Sequence, residues 1–275
     1  MRLIMTPVAD RPESARALKT AFDLGHRVGA TVKGCHIRPH RSSSVSLSPE
    51  FAEAAWRKKQ TKSAPTSAKA LFKRMAEESG YDIIKRPREK PGAIYYERVG
   101  SPDRIMAIDA PMSDLVVVSR PARDGKVANM FLRAALFDSA RPVLILPAAG
   151  RRNIGKNVCI AWNQSPSVSR TVHATISILR EAETVTIVSA GSEDAPGPKA
   201  KQLADYLLFY GIKAECVHTR GRNIEKEILD TAQEAKADML LAGAYSKSRW
   251  RERMFGGTSE HLIYESRIPL LTMHT

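Results

Sequence analysis

Cysteine is scarce in this chain, with three in 275 residues, and its placement removes two classes of site. Cys35, Cys159 and Cys216 are isolated and lie in or beside apolar runs such as Val158-Cys159-Ile160. That spacing suits neither a zinc site nor a disulfide framework, and it reads as three reduced, buried thiols. Aromatic residues are 6% of the chain, too few to build stacking platforms. Zinc-finger spacing and an aromatic-rich RNA-binding signature are both missing, so nucleic acid is not an expected partner despite a formal net charge of +14. The positive excess bears on anionic ligands and solubility and leaves the fold open. No apolar run approaches the roughly 18–20 residues that a membrane-spanning helix needs. The opening Met1-Arg2-Leu3-Ile4-Met5-Thr6-Pro7 is apolar, but Asp10, Arg11 and Glu13 follow where a signal peptide would stay hydrophobic. The expectation is a cytoplasmic protein with no membrane partner.

The machinery of catalysis is equally hard to find. There is no Walker-type lysine loop and no dinucleotide fingerprint at the first strand-to-helix turn. Neither paired carboxylates nor a metal-ligand cluster stands at an interpretable spacing, and the seven histidines are scattered. These absences favour binding over turnover. His261, just beyond the loop described below, reads as a helix-surface or packing residue within reach of that loop.

What is present is repetition. A hydrophobic share of 43% with 26% charged residues fits a globular protein, and the length allows one large domain or two ordinary ones. Asp114-Leu115-Val116-Val117-Val118 rhymes with Asp238-Met239-Leu240-Leu241-Ala242, each an Asp directly before a short apolar run. Ser139-Ala140-Arg141-Pro142-Val143-Leu144-Ile145-Leu146 rhymes with Ser266-Arg267-Ile268-Pro269-Leu270-Leu271, each with a proline opening a last strand. Strand-like starts at Arg2-Leu3-Ile4-Met5 and Asn157-Val158-Cys159-Ile160-Ala161 lead into helices near Pro12 and Pro166, and second strands follow near residues 30–37 and 184–189. Strands alternating with helices predict an α/β fold of two tandem doubly wound parallel-sheet domains. The boundaries are residues 1–150 and 151–275. A helical insertion at about 39–75, with Trp56 as a packing residue, interrupts the first.

In doubly wound sheets ligands sit beyond the carboxyl ends of the strands. There the second half offers Gly243, a basic stretch with Lys247, Arg249, Arg251 and Arg253, then Gly256-Gly257-Thr258-Ser259 opening a helix. Two glycines let backbone approach an anion, the hydroxyls can donate, and free N–H groups at a helix start add partial positive charge. Spacing alone leaves two readings open, a phosphate loop or a turn and helix cap beside a solvated basic face. The corresponding stretch of the first half has no glycine pair. Leu132-Arg133-Ala134-Ala135 puts side chains where bare backbone would be needed, so that site is expected not to hold phosphates.

At these residues nearly the whole chain resembles the universal stress proteins of the UspA-like kind, in the form where two domains are fused. The resemblance implies an adenine nucleotide alpha hydrolase-like, Rossmann-like fold in each half. It also implies a nucleotide signature of a glycine, two residues, a second glycine, nine residues, then glycine with serine or threonine. Gly243 and Gly256 match its first and third glycines; Ser246 stands at the second, and Gly257 intervenes before Thr258. By the same resemblance Ala161, Trp162 and Asn163 lie against adenine and ribose, with Asn163 where many members are acidic. Val188 and Gly221 carry over more weakly, and Ser259 completes the phosphate loop. The implied ligand is ATP or another adenine nucleotide, with or without Mg²⁺, in a stress-response protein whose partner binding changes when the site is filled. Two other readings stand beside it, a nucleotide-free interaction or scaffold module and a slow ATP hydrolase or phosphotransferase. Residues 268–273 suit edge pairing, by which the halves would form an intrachain pseudo-dimer and the chain a homodimer.

Overall fold

A computed structural model of the chain describes residues 1–38, 64–120, 126–147, 154–243 and 258–274. They fall into two compact units, Met1–Ala148 and Ala149–Thr275. The first unit runs β1 (Leu3–Pro7), α1 (Pro12–Val28), β2 (Thr31–Arg38), α2 (Ala64–Glu78), β3 (Ala93–Val99), α3 (Pro102–Asp109), a 3₁₀ turn (Ala110–Met112), β4 (Leu115–Ser119), α4 (Lys126–Asp138) and β5 (Val143–Leu146). The second runs β6 (Asn157–Ala161), α5 (Pro166–Ala174), α6 (Ile176–Leu179), β7 (Thr184–Ala190), α7 (Ala200–Leu208), β8 (Glu215–Thr219), α8 (Ile224–Glu234), β9 (Met239–Gly243), α9 (Thr258–Glu265) and β10 (Leu270–Met273). Strand order is β3-β2-β1-β4-β5 in the first unit and β8-β7-β6-β9-β10 in the second, and the strand pairs within each unit are parallel. Each unit therefore reverses its strand order beside its first strand, which is the doubly wound α/β arrangement read from the sequence. No helix among the described residues is long and apolar enough to cross a membrane.

Local chemistry explains the elements. Pro12 starts α1, and Gly29, at φ 65°, ends it in a left-handed cap whose N–H donates to the Gly25 carbonyl. Between them Leu18 and Phe22 are wholly buried, each side chain contributing roughly 1.5–3 kcal/mol by leaving water. In α5 the Ser165 hydroxyl accepts from the Val168 N–H, and in α8 the Asn223 side chain accepts from that of Lys226. Right-handed crossovers then fix the layers of the second unit. The chain steps from β6 to β7 to β8 in one direction, so α5 and α7 cover one face, and the return through β9 to β10 puts α8 and α9 on the other.

The two rhyming motifs have a physical meaning. Asp114 accepts the Leu3 N–H at 2.9 Å and the Arg2 N–H at 2.5 Å; Asp238 accepts from Gly155, Lys156 and Asn157. In each unit the carboxylate before the fourth strand thus satisfies the first amides of the neighbouring first strand. Buried Ser139 and Ser266 each bridge a short turn, accepting the N–H and donating to the carbonyl of Arg141 and Ile268, one residue before the proline.

Two elements depart from the sequence reading. β3 and β8, the outermost strands at one end of each order, were not anticipated, and Cys216 on β8 is exposed rather than buried. Cys35 and Cys159 are buried as expected. Trp56 and the rest of 39–63 lie outside the described residues.

Candidate functional site

The crevice of the second unit opens at the carboxyl ends of β6 and β9, where its strand order reverses. Register determines which predicted residues share a face. Ala161 pairs with Val188 on one side and Ala242 on the other; Val188 pairs with Val217, and Ala242 with Thr272. In-register neighbours of a parallel sheet point the same way, so Ala161, Val188 and Ala242 form one surface, on the α8 and α9 side. Two alanines stand at its centre, and all three residues are buried. Trp162 obeys the alternation and turns to the opposite face, under α5 and α7. There its ring is buried and its indole N–H donates to the Pro198 carbonyl at 2.7 Å. What Trp162 presents to the crevice is backbone. Asn163 is exposed, and its side-chain carbonyl accepts the Ser165 N–H at 3.2 Å, turning the chain into α5.

A residue missed by sequence reasoning organises this turn. Gln164 is buried at φ 58°, a left-handed backbone unusual for a residue with a side chain. Its amide donates to the carbonyls of Ala195 at 3.1 Å and Gly197 at 2.9 Å, tying the β6 turn to the segment after β7. A Cβ on Gly197 would strike the Gln164 carbonyl oxygen, so the fit requires glycine there.

Beyond β7 and β8 two further loops meet. Gly191 and Gly221 both have positive φ, and a Cβ built on Gly221 would land on the Gly191 Cα. The Glu227 carboxylate accepts the backbone N–H groups of Gly221 at 2.7 Å, Arg222 at 2.8 Å and Asn223 at 3.2 Å. The Thr219 hydroxyl and these amides hold its carboxyl down at about 2. The chain's own carboxylate therefore fills this cluster of amides.

Gly243 ends β9, and its backbone sits hard against α5: a Cβ there would lie 2.9 Å from the Val168 nitrogen and 3.2 Å from the Ser167 hydroxyl. Packing thus gives this glycine a reason of its own. Ser246, Gly256 and Gly257 lie outside the described residues; Thr258 and Ser259 are the first two residues of α9. His261 is exposed on that helix.

The equivalent position in the first unit, between the ends of β1 and β4, holds a cavity of only about 50 Å³, lined by Phe131 of α4 with Arg11 and Val118. Ligand pockets usually run to about 300–1,000 Å³. A larger cavity of about 630 Å³ in the second unit lies near Lys236, Arg267 and Ile268, at the amino ends of β9 and β10 and away from the switch point. Among the described residues no group of three or more His, Cys, Asp or Glu side chains is placed to hold a metal.

With this geometry in place, comparison with known proteins points to a family for the second unit. Residues 169–274 match the model of the universal stress protein family. The second unit carries a universal stress protein domain. Universal stress proteins of Mycobacterium tuberculosis (strain H37Rv) and Mycobacterium bovis are each 27% identical over 81 residues, which is 29% of this chain and 28% of theirs. The chain thus aligns with well under a third of the length of these relatives. Among solved structures, a universal stress protein from Archaeoglobus fulgidus superimposes with a TM-score of 0.72 at 16% identity, covering 99% of this chain and 98% of its own. A putative universal stress protein from Pseudomonas aeruginosa gives 0.60 at 16% identity over 100% and 93%. At such identities the likeness speaks to fold, and it extends the universal stress protein fold over the whole chain.

Proposed function

We propose that the second unit binds an adenine nucleotide, ATP or a close relative, and that occupancy regulates a stress-response role through a protein partner. The observation that carries this reading is the start of α9. The helix opens at Thr258, which in the sequence directly follows Gly256-Gly257, and Gly243 ends the strand before it at the strand-order reversal. A helix beginning there offers N–H donors and a positive dipole end to phosphate, and Ala161 and Ala242 are the small side chains that a flat base would meet. Asn163 is the group that would meet the ribose, as an uncharged amide. Where Mg²⁺ accompanies the nucleotide, phosphate oxygens and water would supply most of its ligands. On this reading the first unit, which lacks the glycine pair and whose cavity at the equivalent place is small, takes no part in nucleotide binding.

Isothermal titration of the full chain with ATP, with and without Mg²⁺, is expected to give one site per chain. Gly257→Val should weaken it by about tenfold or more, because a branched side chain blocks backbone approach to phosphate. Absence of saturable heat at millimolar ATP refutes the reading in favour of a nucleotide-free interaction module. Phosphate release above a boiled control and lost in Gly257→Val would instead establish hydrolysis.

A further inference from the structure

A second cavity of the universal stress domain lies on the opposite face from Ala161 and Val188. It has about 640 Å³ and occupies the groove between α5 and α7, and its lining residues all belong to the second unit. Its inner wall is apolar and well packed: Trp162, Val172 and Leu203 are each at most 4% exposed. The indole N–H of Trp162 is already satisfied by Pro198, so this packed floor carries no unmet polar group, and the exposed Pro198 with half-exposed Ala174, Tyr206 and Met273 supplies the open apolar surface above it. Its rim is polar and positive. Arg170 and His173 stand one helical turn apart on α5, and the His173 ring nitrogen lies 3.1 Å from the Tyr206 hydroxyl of α7, closing one end. The lining contains no carboxylate. Arg170 is exposed and makes no ion pair among the described residues.

We infer that this groove is a binding site for a small planar aromatic monoanion, its ring against Pro198 and Tyr206 above the Trp162 floor and its acid on Arg170. The size is that of a small-molecule pocket, an apolar slot with a few convergent polar groups is the usual build of one, and a guanidinium pairs with a carboxylate in two parallel hydrogen bonds. A cationic ligand is disfavoured, since nothing in the lining would neutralise it. The inference does not rest on nucleotide binding, because the two sites lie on opposite faces of the sheet.

The test is calorimetric titration of the full chain with 2-naphthoate, with its uncharged counterpart 2-naphthamide as the comparison. Naphthoate should bind one to one and shift the emission of Trp162, read in a Trp56→Phe, Trp250→Phe background. Naphthamide and the Arg170→Ala variant should each lose about tenfold or more, the worth of a charge-assisted contact. Ala174→Trp, which fills the groove from a half-exposed position, should abolish binding, whereas Gly257→Val should leave it intact. No saturable binding at millimolar naphthoate, or binding indifferent to both Arg170→Ala and Ala174→Trp, overturns the assignment. Loss of naphthoate binding in Gly257→Val would move the anion to the other face and overturn it as well.

Discussion

Gly191 and Gly221 face one another across two loops, and the structure makes them unequal partners. At Gly191, φ is +81° and an added Cβ would find only the Gly221 Cα at 3.5 Å, an ordinary contact. An alanine there incurs the left-handed penalty alone, roughly 1–2 kcal/mol. At Gly221, φ is +72°, and the Cβ would run into the Gly191 Cα and lie 2.7 Å from its nitrogen, backbone atoms that can yield only if the whole loop moves. Overpacking of that kind adds roughly 1–3 kcal/mol, so Gly221→Ala should lose about 2–5 kcal/mol in all. Urea unfolding of the second unit followed by Trp162 fluorescence resolves the two, since each 1.4 kcal/mol or so is tenfold in the folded ratio. The double variant should cost more than the sum, because the two methyl groups would compete for the same gap. Equal losses at the two positions, or a larger loss for Gly191→Ala, would refute the reasoning.

Other outcomes follow from the same geometry. Glu227 has its carboxyl lowered from 4.5 to about 2, so its contribution to stability is complete above about pH 4.5 and fades as the pH falls toward 2. Glu227→Gln should flatten the acid limb of a stability–pH curve in that window and leave a curve with the wild-type slope elsewhere; an unchanged acid limb contradicts it. Burial pushes the thiols of Cys35 and Cys159 up to about 12, while Cys216 is exposed. A disulfide reagent at about pH 8 should therefore modify one thiol in the native chain and three in denaturant, and Cys216→Ser should abolish the native reaction. Asp238→Ala removes the acceptor of three consecutive amides at the entry to β6 and should cost about 1–3 kcal/mol in urea unfolding; a loss within error of zero would mean water replaces it freely.

The parallel architecture was legible because its central strands are buried on both faces and read as unbroken apolar runs, as in Leu115-Val116-Val117-Val118 and Met239-Leu240-Leu241. The outer strands lacked that signal. In β8, Glu215-Cys216-Val217-His218-Thr219 has no residue fully buried, so neither the strand nor the exposure of its cysteine could be heard. The rhyme of Asp114 with Asp238 was visible, but its purpose was not, because each carboxylate serves amides some 80–110 residues away in sequence. In the candidate site, alternation alone separates Ala161 from Trp162, and that separation needed only the strand's end to be known. Gln164 was beyond reach: its importance comes from two carbonyls in a distant segment and from a backbone conformation that sequence does not announce.

The carboxylate of Glu227 sits only six residues from the first amide it satisfies, so it acts as a resident competitor on a short leash. A tether of this length gives it an effective concentration of millimolar or higher at those amides. An incoming polyphosphate would have to evict it before gaining any donor there, and would bring its own charge alongside the one displaced. On the proposed reading of the site, the β8 side would be self-inhibited toward anions, which would leave phosphate recognition to the end where α9 begins.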